Sequence, residues 1–196
     1  EGLFGENVQP DMERGRILVN EEFESSIPGV YAIGDLIFGM QLAHTASAQG
    51  MVVAEKLAGK EPTIDLEVVP GCVYTDPEIA SAGLTEEQAK EKGINVKCGK
   101  FIMSANGKSV ITQEERGFIK VVAEESTGKI LGAQMMCARA TDMIGEFVTS
   151  ITNGLTVEQM LRGMRSHPTY NEGIGEALEE LGDGAIHVAP KKKNNR

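Results

Sequence analysis

Three strand signals in succession constrain this chain more than any other feature. Residues 96–102, 118–123 and 130–136 are rich in branched or aromatic side chains, the composition that suits a pleated, half-buried surface. Ser126-Thr127-Gly128 lies between the last two and reads as a hairpin turn. Upstream, Gly71-Cys72-Val73-Tyr74 and Ile79-Ala80-Ser81-Ala82-Gly83-Leu84 flank an Asp76-Pro77 turn and read as two more strands. Thr85-Glu86-Glu87-Gln88 is a capping box opening a short helix that stops at Gly93. Three helices close the chain: 141–153 ended by Gly154, a short one after Thr156, and one opened by Thr169 that runs toward Leu181. Strands first and helices last predict an α+β domain, an antiparallel sheet with helices on one face. The sheet's other face, or the helical layer, is then free to meet another subunit.

Residues 1–66 carry a different pattern. Arg16-Ile17-Leu18-Val19 and Val30-Tyr31-Ala32-Ile33 are short strand signals, with Pro28-Gly29 as a turn before the second. After Gly34-Asp35 an irregular loop leads into a helix expected over 43–57, with Gly59 just past its end. One strand–loop–helix unit, without a second parallel strand and crossover, reads as the end of a larger α/β domain. The chain starts at Glu1 without an initiator methionine, which fits a piece whose N-terminal part lies elsewhere. The expected organisation is therefore an α/β remnant at 1–66 followed by an α+β domain at 67–196.

Bulk properties exclude several functions. A net charge of −10 argues against a nucleic-acid partner, because neutralising phosphates needs clustered Lys and Arg. The one basic run, residues 191–196, reads as a solvated terminal tail. No apolar run approaches the ~20 residues that cross a bilayer. Cys72, Cys98 and Cys137 are widely spaced and odd in number, so they form neither a disulfide framework nor a metal-type CxxC pair. They are expected to be small buried apolar residues in a reducing, cytoplasmic compartment, and no metal site is expected.

Two places carry candidate chemistry. In His167-Pro168-Thr169-Tyr170-Asn171-Glu172 an imidazole and a carboxylate stand a few residues apart. Histidine exchanges a proton near neutral pH, and a carboxylate can accept the proton on its other ring nitrogen, fixing the tautomer. The same residues also read as a capping box, Thr169 at N-cap and Glu172 at N3, and base and plain cap both stand, since Thr169 can start the helix whether or not Glu172 also reaches the histidine. The second place is Tyr31-Ala32-Ile33-Gly34-Asp35 with Gln41-Leu42-Ala43-His44. A strand ending in Gly34 and Asp35 delivers a backbone that a ligand can approach and an acceptor for sugar hydroxyls. Gln41 to His44 lie at a helix start, where backbone N–H groups favour electron-rich atoms; His44 reads equally as a residue packing locally. There is no G-x-G-x-x-G after a strand, no phosphate-binding G-x-x-x-x-G-K-[ST] and no H-E-x-x-H.

Taken together these segments resemble the C-terminal part of the pyridine nucleotide–disulfide oxidoreductases. Residues 25–35 look like the family's second FAD fingerprint, with Ser25 where Thr is usual. Leu42-Ala43-His44 matches the segment whose backbone approaches the isoalloxazine ring. Residues 73–80 and 83–86 look like the start of the interface domain, and His167-Pro168-Thr169 with Glu172 matches the active-site dyad. Ser104-Ala105-Asn106-Gly107-Lys108 and Arg139-Ala140-Thr141-Asp142 resemble the dihydrolipoamide dehydrogenase branch more than glutathione or mercuric reductases. Tyr170-Asn171 replaces the common Leu-Ser, and Arg165 stands where many relatives have another histidine.

The resemblance implies a flavoprotein that takes electrons from a dihydrolipoyl group through a cysteine pair and FAD to NAD+. The cysteine pair, the first FAD fingerprint and the NAD site are not among these residues, and the piece alone is expected to be inactive. Gly34, Asp35, Gln41, Leu42, Ala43 and His44 are the implied FAD contacts, and His167 with Glu172 the implied base and its orienting partner. The implied partners are a second copy, through residues 67–196, and the dihydrolipoyl group of a 2-oxo acid dehydrogenase or glycine cleavage complex. In such a dimer the dyad serves the disulfide and flavin of the other subunit. The alternatives are another disulfide reductase or an NADH oxidase of the same family, and a dimerisation module without chemistry.

Overall fold

The structure, a computed structural model, describes residues 4–5, 8–182 and 184–189. The basic run at 191–196 lies outside the described residues. By its internal contacts the chain divides into two compact units, Glu1–Glu67 and Val68–Arg196.

In the first unit, β1 (Met12–Glu13) and β2 (Arg16–Ile17) form a two-stranded antiparallel ribbon. The second strand signal is not a strand. Residues 30–33 are held by a local loop, with Ser25 N–H donating to the Val30 carbonyl at 2.8 Å and Ala32 N–H to the Phe23 carbonyl at 3.0 Å. Tyr31 makes one isolated bridge, to Glu24. The branched residues do extend the backbone, but among the described residues no neighbouring strand completes a ladder. Gly29, at φ +78°, takes the left-handed position of the turn that Pro28 starts, and Val30 N–H closes it on Ile27 O at 3.0 Å. α1 (Ala43–Leu57) spans the expected residues. Gly59 (φ +71°) ends it: its N–H bonds Lys56 O at 2.9 Å, and that of Lys60 bonds Glu55 O at 2.9 Å, the paired bonds of a Schellman motif.

The second unit is a five-stranded sheet of β3 (Gly71–Val73), β4 (Glu78–Gly83), β5 (Val96–Ile102), β6 (Phe118–Glu124) and β7 (Ile130–Cys137). The spatial order is β3-β4-β7-β6-β5, and every neighbouring pair is antiparallel. The register aligns Ala80, Met135, Ile119 and Phe101 in one row across the sheet, and Ala82, Ala133, Val121 and Gly99 in the next. All of these are buried. Alternate residues of each strand therefore build one apolar face.

Two helices cover that face. α4 (Ala140–Thr152) buries Met143, Ile144 and Phe147, and α6 (Glu172–Glu179) buries Ile174, Ala177 and Leu178. Both sets follow helical i, i+3, i+4 spacing, and each fully buried large side chain contributes about 1.5–3 kcal/mol. α2 (Glu86–Glu91) has both halves of its capping box, and Glu86 bonds Lys120 of β6 at 2.8 Å. α5 (Val157–Leu161) has a capping box of its own at Thr156. One helix has no counterpart in the sequence reading, α3 (Gly107–Thr112), which follows a 3-10 turn at Met103–Ala105 and is capped by Asn106.

α6 is seated very close to β5. An added Cβ at Gly99 would run into the Ala177 carbonyl oxygen, and one at Gly173 would sit 3.0 Å from Met103 Sδ and 3.1 Å from Ile119 Cδ1. Glycine at both positions lets the helix backbone rest on the sheet, and this fixes where Glu172, its first residue, stands.

Candidate active site at the start of α6

The loop from α5 to α6 carries His167, and its His167–Pro168 peptide is cis. His167 Nδ1 lies 2.9 Å from Glu172 Oε1, and Glu172 Oε2 accepts from Thr169 N–H at 2.8 Å. An ionised carboxylate can only accept, so the imidazole proton sits on Nδ1. Nε2 then carries the lone pair, on a side chain that is 76% exposed. Burial raises the Glu172 pKa, but the bonds from Thr169 and His167 outweigh it and hold the carboxyl below its ordinary 4.5. Glu172 is thus charged at neutral pH.

The expected capping box forms only in half. Asn171, not Thr169, precedes the first helical residue, and it provides no side-chain cap. The Thr169 hydroxyl donates to Ser166 O at 2.7 Å instead of accepting from the helix. Tyr170 and Asn171 form a tight entry turn, with Gly173 and Ile174 N–H bonded three residues back. Only the glutamate side of the box remains, and it does not compete with the histidine. The two oxygens divide the tasks.

Both departures from the common family pattern act as anchors of this loop. The Tyr170 hydroxyl donates to the Glu114 carboxylate and lies 2.7 Å from Thr112 Oγ1. Arg165 pairs with Glu146 of α4 at 2.5 Å, its side chain only 12% exposed.

A second imidazole held from α6, that of His187 beyond the helix end, escaped the sequence reading. Glu176, one turn beyond Glu172, holds His187 Nδ1 at 2.5 Å through Oε1 and His187 N–H at 3.0 Å through Oε2. The bond to Glu176, and the charges of Glu176, Glu172 and Glu179, raise the His187 pKa above 6.5. The clasp therefore adds its full stability below about 6.5 and loses it as pH rises through the higher folded value. An NMR titration should place the His187 midpoint above that of the Glu176→Gln variant; equal midpoints would refute the clasp.

In the first unit, Gly34 (φ +63°) opens a 3-10 turn, Gly34–Leu36. Its N–H donates to Gln49 Oε1 at 2.7 Å, and a Cβ there would sit 2.7 Å from Ala46 Cβ of α1. Only glycine allows this approach of turn and helix. Asp35, Gln41, Ala43 and His44 are exposed and Leu42 is half-buried. Leu42 is the N-cap of α1 and gives it no side-chain bond. The structure thus brings His167 and Glu172 together in one unit, and carries Gly34, Asp35 and residues 41–44 in the other.

The three cysteines are free thiols. Burial pushes Cys98 up to about 11, helped by a bond to Glu86, and Cys137 up to about 12, so neither is a ready nucleophile. No helix among the described residues is long and apolar enough to cross a membrane.

Dihydrolipoyl dehydrogenase 1, mitochondrial, of Arabidopsis thaliana is 43% identical over 188 residues, 95% of this chain and 37% of that protein. A dihydrolipoyl dehydrogenase of Bacillus subtilis (strain 168) is also 43% identical, over 95% of this chain and 40% of its own. The chain spans well under half the length of these relatives. The fold is that of LpdA from Mycobacterium tuberculosis, with a TM-score of 0.82 and 24% identity over 89% of this chain and 39% of that one. The HOCl-induced flavoprotein disulfide reductase RclA from Escherichia coli is also similar, with a TM-score of 0.77 and 26% identity over 87% of this chain and 39% of that one. The family model for the pyridine nucleotide-disulphide oxidoreductases matches residues 2–50, and the model for their dimerisation domain matches 69–178. With the second match alone covering more than half of its residues, this chain belongs to the pyridine nucleotide-disulphide oxidoreductase family.

Proposed function

We propose that the chain is the C-terminal part of a dihydrolipoyl dehydrogenase, the end of its FAD-binding domain at 1–66 and its dimerisation domain at 67–196. The observation that carries this reading is the 2.9 Å bond from His167 Nδ1 to Glu172, which leaves Nε2 available to an incoming thiol. Glu172 orients the ring and stabilises the imidazolium that forms when Nε2 takes the proton. A thiolate, not a thiol, attacks a disulfide, so this transfer gates electron entry. Dimerisation through 67–196 would present the base to the cysteine pair of the other subunit, and the names of the relatives support a dihydrolipoyl substrate.

FAD, with NAD+ as final acceptor, supplies the electron transfer when bound. The first unit's donor set fits it. Asp35, an exposed carboxylate, would accept from sugar hydroxyls, Gly34 keeps the turn against α1, and Gln41, Leu42, Ala43 and His44 stand at the start of α1, whose partial positive end would favour an electron-rich ring.

The test is an assay with two arms. Residues 1–196 alone should lack bound flavin and activity. The full-length polypeptide, with its own first FAD fingerprint and cysteine pair, should oxidise dihydrolipoamide with NAD+. Preference for glutathione disulfide with a reduced nicotinamide would replace the substrate assignment, and turnover by the piece alone would refute the proposal.

A further inference from the structure

The Ser104-Ala105-Asn106-Gly107-Lys108 segment has no role in the chemistry derived so far. Its asparagine is nevertheless 3% exposed, with each side-chain polar atom bonded. Asn106 Oδ1 accepts from Ser109 N–H at 2.9 Å and lies 3.2 Å from Ser109 Oγ, capping α3. Asn106 Nδ2 donates across 63 residues of sequence to the Thr169 carbonyl at 3.1 Å. Thr169 N–H is in turn held by Glu172 Oε2, and Glu172 Oε1 by His167. A continuous line of hydrogen bonds thus runs from the cap of α3 to the imidazole, and both backbone polar groups of Thr169 are clamped. At the far end of α3, Thr112 and the following Glu114 hold the Tyr170 hydroxyl.

The geometry points to Asn106 as a positioning residue for the His167–Glu172 pair, setting the His167 loop through the Thr169 carbonyl; this rests on the proton-transfer role proposed for His167. A side chain needed only to cap α3 requires an acceptor, which Asp or Ser also provides. The amide donor is what the loop uses, and the part-buried Thr169 carbonyl, facing a carboxylate instead, would be pushed away.

The test uses the full-length holoenzyme with Asn106→Asp and Asn106→Ser, each alone and with His167→Gln. Dihydrolipoamide oxidation should lose about 10-fold in kcat, because a small displacement of a reacting group is costly. KM and the NADH-to-ferricyanide rate, which needs no dithiol proton, should change by less than about twofold. In the His167→Gln background the same substitutions should add less than about twofold, since residues acting as one unit are not additive. Full dithiol turnover in both Asn106 variants overturns the inference. So does a loss shared equally by the ferricyanide route with a lowered melting temperature, which marks a fold element only, or a full additional loss in the His167→Gln background. If His167→Gln itself keeps dithiol turnover, the proton-transfer role fails and the inference falls with it. A large loss in His167→Gln with none in the Asn106 variants overturns the inference alone.

Discussion

Replacing His167 with Gln in the full-length enzyme is expected to lower dihydrolipoamide oxidation by about 10² to 10⁴, the usual contribution of a positioned base. Flavin content and dimeric state should stay as they are. The separation follows from how the loop is built. The His167 side chain is 76% exposed, so its removal leaves no cavity in the core. Glu172 keeps its bond to Thr169 N–H through Oε2, and the loop remains tied by the Arg165–Glu146 pair and by Tyr170 to Glu114. What is lost is the group proposed to accept the thiol proton. Steady-state turnover with dihydrolipoamide, set beside the flavin absorbance ratio, checks both halves. Unchanged turnover would take His167 out of the mechanism, and loss of flavin or of the dimer would mean that the residue serves the fold.

The elements whose signals are local were legible in the sequence. α1 and β5 have the bounds expected of them, because a helix stopped by Gly59 and a branched, alternating strand state their own conformation. The contact between His167 and Glu172 was legible for the same reason, since the two residues stand only five apart in sequence. Where pairing depends on distant partners the sequence is silent. Residues 30–33 have strand composition, yet their backbone bonds go to the nearby residues 23–27. α3 was missed because Gly107, Val110, Ile111 and Thr112 are weak helix formers; the Asn106 cap and the tie to Thr169 hold it. Thr169 satisfied the spacing of a helix cap and turned its hydroxyl to Ser166 instead. His187 and Glu176 stand 11 residues apart, and no spacing rule joins them.

Gly99→Ala should destabilise the protein by about 1–3 kcal/mol, the range for forcing extra volume into a packed interior, and lower dithiol oxidation with it. Gly99 lies in the buried row with Val121, Ala133 and Ala82. Its backbone is not in the left-handed region, so the constraint is one of space alone. A methyl group there meets the Ala177 carbonyl oxygen and stands 3.0 Å from Leu181 Cγ. Neither can yield cheaply, since one is helix backbone and the other packs on the core. α6 must lift, and Glu172 at its first residue moves relative to the His167 loop, which is held from α3 and α4 and does not follow. Gly145 of α4 provides the contrast, because a Cβ there meets nothing within 4 Å. Gly145→Ala should leave activity intact and raise stability by a few tenths to about 1 kcal/mol, as expected for Gly to Ala at a compatible site. Thermal melts of the two variants, read beside dithiol turnover, separate the seat of α6 from a general intolerance of alanine. An unshifted melt and full turnover in Gly99→Ala would show that the contact of α6 with β5 does not position the glutamate.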